Sequence, residues 1–354
     1  MNDAIAPDTG APDTGAAAPD TASVHRGLLT LDTHIDIPWP TGPDPFTDGA
    51  RKVDLPKMIR GGLSAGCFVA YVPQVRRGIA AEDAAFDRAS SMLRAITAMA
   101  GARPDLPARL TLTADAIEQA RADRVLAIIP AVENGFAIGT DLDRLRALHA
   151  LGARYLTLTH NGHNAIADSA NPRADLGERS AEHGGLSGFG RLAVAEMNRL
   201  GMLVDVAHVS RLAMLDAAET SRTPVLSTHS CVAALCDHPR NMDNGQLDAL
   251  ADVGGVIQIT AVSAFLRAHA RPEQVTVADF ADHVDYAVRR IGIAHVGISS
   301  DFDGGGGFSD WNDAGDCPNI TAELLRRGYD RGALALLWGG NFLRLLRAAE
   351  AAAA

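Results

Sequence analysis

Short apolar stretches alternate with longer segments of helical periodicity along most of the chain. Eight of these stretches have the character of β-strands, and several are continuously apolar, which is typical of strands covered on both faces. They are 28–36, 66–72, 125–130, 154–159, 203–207, 225–228, 256–260 and 295–300. Between them, alanine and leucine recur at helical spacing in 82–100, 141–151, 187–200, 210–220, 241–252 and 277–291. The pattern predicts a repeated strand–helix unit.

Eight strand–helix alternations predict an α/β protein with a closed (β/α)8 TIM barrel, and 354 residues lie within the size range of that fold. A doubly wound open sheet is less favoured, because no GxGxxG turn follows the first strand. We expect a single barrel domain over residues 24–354, with further helices in 321–349. Residues 102–124 and 161–186 are interpreted as elaborations of the barrel's loops.

Residues 1–23 repeat the sequence APDTG and consist largely of small, polar and proline residues. Such a segment buries too little apolar surface to offset the entropy of ordering, so we predict a disordered N-terminal tail. It lacks the basic start and apolar core of a signal peptide. No apolar run approaches the roughly 20 residues of a membrane helix. We therefore expect a soluble, cytoplasmic protein with no membrane partner.

The charge balance disfavours a nucleic-acid partner. The chain has 43 acidic and 32 basic residues, a net charge of −11, whereas binding to a phosphate backbone needs a basic face. The four cysteines form no CxxC pair, which disfavours a disulfide scaffold or a cysteine zinc site. Histidine, present twelve times, is commonly used for metal binding or acid–base chemistry.

Histidines and carboxylates follow most of the predicted strands. In a barrel, the carboxyl ends of the strands form the mouth where chemistry takes place. The first strand ends in His34 and Asp36, two positions that point to the same side of a strand. The later strands run into Glu133, His160, His208, His229, and the pair Asp301 and Asp303.

Each of these residues alone has an ordinary structural interpretation. A histidine after a strand is usually a cap or a loop residue, and Glu133 fits a solvated helix start. Their joint placement at one rim favours a divalent metal, because gathered charges repel one another without it. Three histidines with carboxylates form a ligand set that suits zinc, although iron and manganese are also compatible. Two groups of ligands that share one acid suit a binuclear site. The chemistry indicates a barrel of the metallo-dependent hydrolase type.

The scarcity of lysine bears on how two metals would be bridged. Some binuclear barrel hydrolases use a carbamylated lysine at the end of the fourth strand. The chain has only Lys52 and Lys57, both after the first strand. Another anion must then form the bridge, and Glu133 is placed to do so.

Several motifs occur in a characteristic order between about residues 28 and 347. They are LDTHIDIP, AVENG, YLTLTHN, LVDVAHVS, PVLSTHS, PRN at 239–241, GISSDFDG and GGNFLR. With these motifs the chain resembles the membrane (renal) dipeptidases, metallopeptidase family M19. The resemblance implies hydrolysis of free dipeptides by a metal-bridging hydroxide, and makes tolerance of a C-terminal D-residue plausible. It also implies two Zn²⁺ ions per subunit.

The resemblance assigns metal ligands residue by residue. His34 and Asp36 would bind one zinc ion, and His208 with His229 would bind the other. Glu133 would bridge the two ions together with a water or hydroxide.

The resemblance also assigns catalytic and substrate-binding roles. His160 would contact the substrate and its developing oxyanion, and Arg240 would hold the C-terminal carboxylate. Asp301 would lie beside the bridging water and the substrate and transfer a proton, while Asp32 would orient a ligand. Mammalian members are secreted and lipid-anchored, but residues 1–23 do not resemble a signal peptide and the last residues read AAEAAAA, so we expect neither property here. Members are often homodimers, although no interface can be read from the sequence.

Three alternatives remain open at this point. The first is a binuclear amidohydrolase acting on N-acyl amino acids, lactones or other non-peptide amides. The second is a metal-free barrel used as a binding or scaffold protein, which the complete ligand set disfavours. The third is a nucleic-acid module, which lacks a basic surface.

Overall fold

The computed structural model describes residues 20–354. Of the predicted N-terminal tail, residues 1–19 lie outside this range. Residues 21–23 belong to the first helix, Thr21–Arg26, whose N-cap Asp20 accepts a hydrogen bond from the backbone N–H of Ala22. The helix therefore includes residues 21–23 of the predicted tail.

Eight parallel strands form a nearly closed barrel, which confirms the predicted fold class. The nine strands of the sheet are β1 (Leu31–Asp36), β2 (Ala65–Tyr71), β3 (Ala108–Leu110), β4 (Leu126–Glu133), β5 (Tyr155–Thr157), β6 (Leu203–Asp205), β7 (Leu226–Ser230), β8 (Val256–Ile259) and β9 (Val296–Ile298). The barrel order is β1-β2-β4-β5-β6-β7-β8-β9. Strand β3, which the sequence pattern missed, pairs with β4 outside this path.

The barrel closes where β1 meets the segment that follows β9. The backbone N–H of Asp36 donates to the carbonyl of Phe302 at 3.0 Å, and that of Asp301 donates to the carbonyl of His34 at 3.1 Å. Both bonds lie at the carboxyl end of β1. The seam therefore forms at the barrel mouth, between residues that the sequence predicts as functional.

Helices connect the strands and cover the barrel. They are α1 (Thr21–Arg26), α2 (Leu55–Gly61), α3 (Ile79–Ala98), α4 (Ala114–Ala122), α5 (Leu142–Ala150), α6 (Gly188–Leu200), α7 (Arg211–Thr220), α8 (Asn244–Asp252), α9 (Ser263–Leu266), α10 (Val277–Ile291), α11 (Cys317–Arg326), α12 (Arg331–Ala335) and α13 (Asn341–Ala352). A π-helical turn, Leu336–Gly340, joins α12 to α13. No helix within residues 20–354 is both long and apolar enough to cross a lipid bilayer.

The amino-terminal end of the barrel is closed by apolar packing. Phe342 and Leu346 of α13 belong to the same buried cluster as Leu31, Leu203 and Val256, the first residues of three barrel strands. Burial of each such side chain contributes about 1.5–3 kcal/mol. This packing leaves the carboxyl end as the open mouth.

Candidate metal centre

The side chains predicted from the sequence converge at the barrel mouth. His34 and Asp36 lie on β1, Glu133 is the last residue of β4, and His229 lies on β7. The loops directly after β5, β6 and β9 add three more residues, His160, His208 and Asp301. These seven residues form three overlapping groups whose potential ligand atoms lie within 4.8 Å of one another.

Glu133 lies at the centre of this cluster, and its two oxygens face different histidines. Its Oε1 lies 3.2 Å from Nε2 of His208 and 3.6 Å from Nε2 of His229. Its Oε2 lies 3.6 Å from Nε2 of His34. Nε2 of His34 also lies 3.8 Å from Oδ2 of Asp36. Ligand atoms around one tetrahedral zinc ion are about 3.4 Å apart, so both sides of Glu133 have suitable spacing.

One unpartnered ring nitrogen and one close pair of ring nitrogens indicate that the cluster fits a cation. Nε2 of His34 is buried and has no hydrogen-bond partner within residues 20–354. Nε2 of His208 and Nε2 of His229 face each other at 2.9 Å, both directed at the same oxygen of Glu133. Buried polar groups are normally paired, and metal coordination would satisfy these nitrogens.

The electrostatics of the cluster also favour bound metal. Burial lowers the pKa of His208 and of His229 well below the usual range, which keeps these imidazoles neutral, as ligation requires. Burial and then the charge of Glu133 raise the pKa of Asp36 well above its usual range. Although burial opposes it, the charge of Glu133 raises the pKa of His34 to about 10. The cluster thus strongly attracts positive charge.

Behind the histidines lies a hydrogen-bond network that the sequence analysis missed. The hydroxyl oxygen of Tyr155 lies 3.1 Å from Nδ1 of His34, and that of Thr228 lies 2.8 Å from Nδ1 of His229. Thr228 also donates to the buried carboxylate of Asp205 at 2.7 Å. The signal available in the sequence was an acid inside the otherwise apolar strand LVDVA.

A cavity of about 550 Å³ opens above the cluster and is lined by His160, Arg240 and Asp301. Arg240 is buried, donates to the carbonyl of His229 at 3.1 Å, and lies over the ring of Phe265. Its Nε has no partner within the described chain. Burial lowers the pKa of Arg240 to about 10, so the guanidinium remains charged at neutral pH.

His160 and Asp301 complete the catalytic residues predicted from the sequence. The ring of His160 lies against those of Tyr71 and His208, with centroids 4.8 and 4.2 Å away. Burial lowers the pKa of His160. Burial also raises the pKa of Asp301 to about 7, although His34 acts in the opposite direction. Both side chains face the same cavity as the metal cluster.

The backbone at the mouth adopts conformations that place these groups. His208 and Asp301 have φ angles of 67° and 57°, a region that non-glycine residues rarely occupy and that is common at functional sites. Gly304 packs so tightly that a Cβ there would lie 1.9 Å from Oδ2 of Asp36. The glycine run after Asp303 thus lets the chain approach the cluster.

Four other residues singled out in the sequence have different roles. Asp32 accepts the backbone N–H groups of His34 and Ser300, at 3.2 and 3.0 Å, so it holds backbone and not the ring of a ligand. Asp303 binds Arg51 at 2.8 Å instead of facing the histidines. Lys52 and Lys57 are bound elsewhere, to the side chains of Asn312 and Asp48.

A (β/α)8 barrel with this donor set at its mouth defines the class of metal-dependent barrel hydrolases. The family model for membrane dipeptidase, peptidase family M19, matches residues 20–354. The chain belongs to this family and is a metallodipeptidase by class, as the sequence motifs predicted.

Individual relatives agree with this assignment. The chain is 35% identical over 321 residues to the dipeptidase tcpJ of Claviceps purpurea, covering 88% of this chain and 72% of that protein. Its structure is similar to that of the probable dipeptidase PvdM from Pseudomonas aeruginosa, with a TM-score of 0.89, 28% identity and coverage of 94% and 98%. It is also similar to a metallopeptidase from Rhodobacter sphaeroides liganded with a phosphinate mimic of the dipeptide L-Ala-D-Ala. That match has a TM-score of 0.77, 26% identity and coverage of 91% and 99%.

Proposed function

We propose that this chain is a zinc-dependent dipeptidase that binds two zinc ions per subunit and hydrolyses free dipeptides. The observation that carries the proposal is the position of Glu133 between two sets of ligands. Its Oε2 and the side chains of His34 and Asp36 would hold one ion. Its Oε1 and the side chains of His208 and His229 would hold the other. Membership of the membrane dipeptidase family supports the substrate class.

The residues that line the cavity have complementary tasks in this reaction. Zinc ions held by these ligands would lower the pKa of a bound water and polarise the scissile carbonyl. The neutral imidazole of His160 donates to the carbonyl oxygen as it becomes negative. Asp301 accepts the proton of the attacking water and returns it to the departing amine.

Arg240 restricts the substrate to short peptides. Its buried guanidinium has an unpartnered Nε and would bind the free C-terminal carboxylate through charge-assisted hydrogen bonds. Because Arg240 also contacts the backbone carbonyl of His229, a carboxylate bound there would lie beside the metal ligands, which favours substrates that end one residue after the scissile bond. The ligand of the Rhodobacter sphaeroides relative, a mimic of L-Ala-D-Ala, supports acceptance of a C-terminal D-residue.

The test is a substrate panel with the purified, zinc-loaded chain. It compares L-Xaa-L-Xaa and L-Xaa-D-Xaa dipeptides with N-acyl amino acids and lactones, alongside elemental analysis of bound metal. We expect two zinc ions per chain and the highest kcat/KM for dipeptides. A higher kcat/KM for N-acyl amino acids or lactones would establish the amidohydrolase alternative instead.

A further inference from the structure

We infer that Asp205, acting through the hydroxyl of Thr228, fixes the proton of His229 on Nδ1 so that Nε2 is free to bind metal. Asp205 and Thr228 are thus positioning residues for the metal centre. The inference rests on the proposed role of His229 as a metal ligand, but the proton position can be measured without metal.

The side chain of Asp205 accepts four hydrogen bonds. Its Oδ1 accepts the backbone N–H groups of Ala207 and Thr228, both at 3.0 Å. Its Oδ2 accepts the hydroxyls of Thr157 at 2.5 Å and of Thr228 at 2.7 Å. Four donors converge on a carboxyl group that is completely buried. Burial raises the pKa of Asp205, but all four contacts donate to its oxygens, so the carboxyl group acts as an acceptor toward Thr228.

The hydroxyl of Thr228 has a single hydrogen, so it can donate only one hydrogen bond. Because this hydrogen points to Asp205, the oxygen can only accept from Nδ1 of His229, 2.8 Å away. His229 then carries its proton on Nδ1 and presents a lone pair at Nε2, which faces Oε1 of Glu133 at 3.6 Å. A hydrogen bond at one ring nitrogen generally decides which nitrogen binds the metal.

The same network reaches a histidine of the other proposed metal site. Nδ1 of His34 lies 3.1 Å from the hydroxyl of Tyr155, which itself donates to the carbonyl of Thr33 at 2.8 Å. It lies 3.3 Å from the hydroxyl oxygen of Thr228. Both oxygens have used their hydrogens elsewhere, so they accept from His34. One threonine hydroxyl therefore supports one histidine from each site.

An isosteric change at Asp205 should reverse the direction of the hydrogen bonds that link Asp205, Thr228 and His229. In Asp205→Asn the amide oxygen must stay on the Oδ1 side, because two backbone N–H groups point there. The NH2 group then faces Thr157 and Thr228 as a donor. The hydroxyl hydrogen of Thr228 turns toward Nδ1 of His229, and the ring proton moves to Nε2. That is the wrong tautomer for metal binding.

The test measures histidine tautomers in the metal-free protein by long-range ¹H–¹⁵N correlation NMR and zinc affinity by chelator competition. For Asp205→Asn we expect His229 to change from the Nδ1–H to the Nε2–H form and zinc affinity to fall about 10- to 100-fold. Thr157→Val is the matched control, because it removes a hydrogen bond to the same oxygen of Asp205 but leaves the path to His229 intact. It should keep the Nδ1–H form and lie within about threefold of wild-type affinity.

A second pair of variants tests the hydroxyl itself. Thr228→Val should weaken zinc binding to a similar degree. Thr228→Ser keeps the hydroxyl and should retain the wild-type zinc affinity and the Nδ1–H form of His229. If Asp205→Asn leaves His229 in the Nδ1–H form, or if Thr228→Val binds zinc like the wild type, the inference is wrong. Failure of the wild-type protein to bind zinc would instead contradict the proposed function, while the tautomer measurement would still decide the inference.

Discussion

Glu133 is the residue on which both proposed metal sites depend, because its two oxygens face His34 on one side and His208 on the other. Glu133→Gln replaces one of these oxygens with an NH2 group, which cannot bind a cation. We expect bound zinc to fall below one ion per chain and kcat to fall by at least about 100-fold. Elemental analysis and dipeptide turnover measure both effects.

A matched control for that variant is Glu182→Gln, since Glu182 is exposed and pairs with Arg77. It should retain wild-type metal content and turnover. Two zinc ions and normal turnover in Glu133→Gln would show that Glu133 does not bridge metals.

Arg240 provides a second prediction, about substrate recognition. Arg240→Ala should raise KM about 10- to 100-fold for free dipeptides, because a hydrogen-bonded charge pair contributes about 1.5–3 kcal/mol. Dipeptides with an amidated C-terminus should be affected far less. The control is Arg88→Ala, an exposed arginine at the rim of the same cavity. Equal losses for free and amidated substrates would contradict carboxylate binding by Arg240.

At this scale the sequence predicted the histidines and acids that gather at the barrel mouth, and missed the residues that hold their ring nitrogens. The seven histidines and acids at the mouth could be found because a barrel collects the carboxyl ends of its strands. Asp205 ends β6 and Thr228 lies within β7, and their importance depends on which hydroxyl faces which ring nitrogen. The same is true of Asp32. Its position on β1 predicted that it lies near the metal ligands, but not that it accepts hydrogen bonds from the backbone of His34 and Ser300.

Among the elements, helix α6 shows how a close contact fixes a loop of the site. An ideal Cβ on Gly190 would lie 2.1 Å from the carbonyl oxygen of Ile166, in the long loop after β5. Gly190→Ala should therefore destabilise the fold by about 1–3 kcal/mol. Gly188 is a control in the same helix, because a Cβ there meets no atom within 4 Å.

Gly188→Ala should change the free energy of unfolding by less than about 1 kcal/mol. Urea denaturation of both variants measures the difference. Equal stability of the two variants would show that the loop yields to the added methyl group without cost.

Helix α1 is anchored by a buried histidine, and this anchor predicts a pH dependence of stability. His25 contacts the hydroxyl of Thr321 at 2.6 Å and the carbonyl of Gly61 at 2.9 Å. Burial lowers its pKa below the unfolded value of about 6.5, so below this pH the unfolded chain binds more protons. Stability should thus fall as the pH drops from 7 to 5.

In His25→Gln this contribution is absent, so its free energy of unfolding should depend less steeply on pH between 7 and 5. The difference in slope is at most about 1.4 kcal/mol per pH unit. At pH 8 and above, the two slopes should coincide, because His25 is neutral in both states. Identical slopes at pH 5–7 would show that His25 titrates normally in the folded protein.

The barrel strands and most helices could be predicted because apolar runs or helical periodicity mark them in the sequence. Strand β3, Ala108–Leu110, has the sequence ARL and pairs with β4, so no continuous apolar run marks it. The same holds for the loops at the mouth, where His208 and Asp301 take positive φ angles that tertiary contacts impose.

For the whole molecule, the proposed ligands come from strands or loops around most of the barrel, so bound metal should stabilise the entire fold. Chelator treatment should lower the unfolding temperature by several degrees, and added zinc should restore it. Free zinc at a hundredfold excess over Kd corresponds to about 2.7 kcal/mol. Differential scanning calorimetry measures the shift, and Glu133→Gln should show little response to chelator. An unchanged transition in the wild type would contradict metal binding by the folded state.

The seam between β1 and the segment after β9 joins His34 to Asp301, residues near opposite ends of the chain. During synthesis on the ribosome, β1 emerges long before its partner exists. The edge of β1 that carries His34 and Asp36 therefore stays unpaired on the side of β9 until nearly the whole barrel has been translated. A chain truncated before residue 301 would carry all five proposed metal ligands but lack the hydrogen bonds that close the barrel around them.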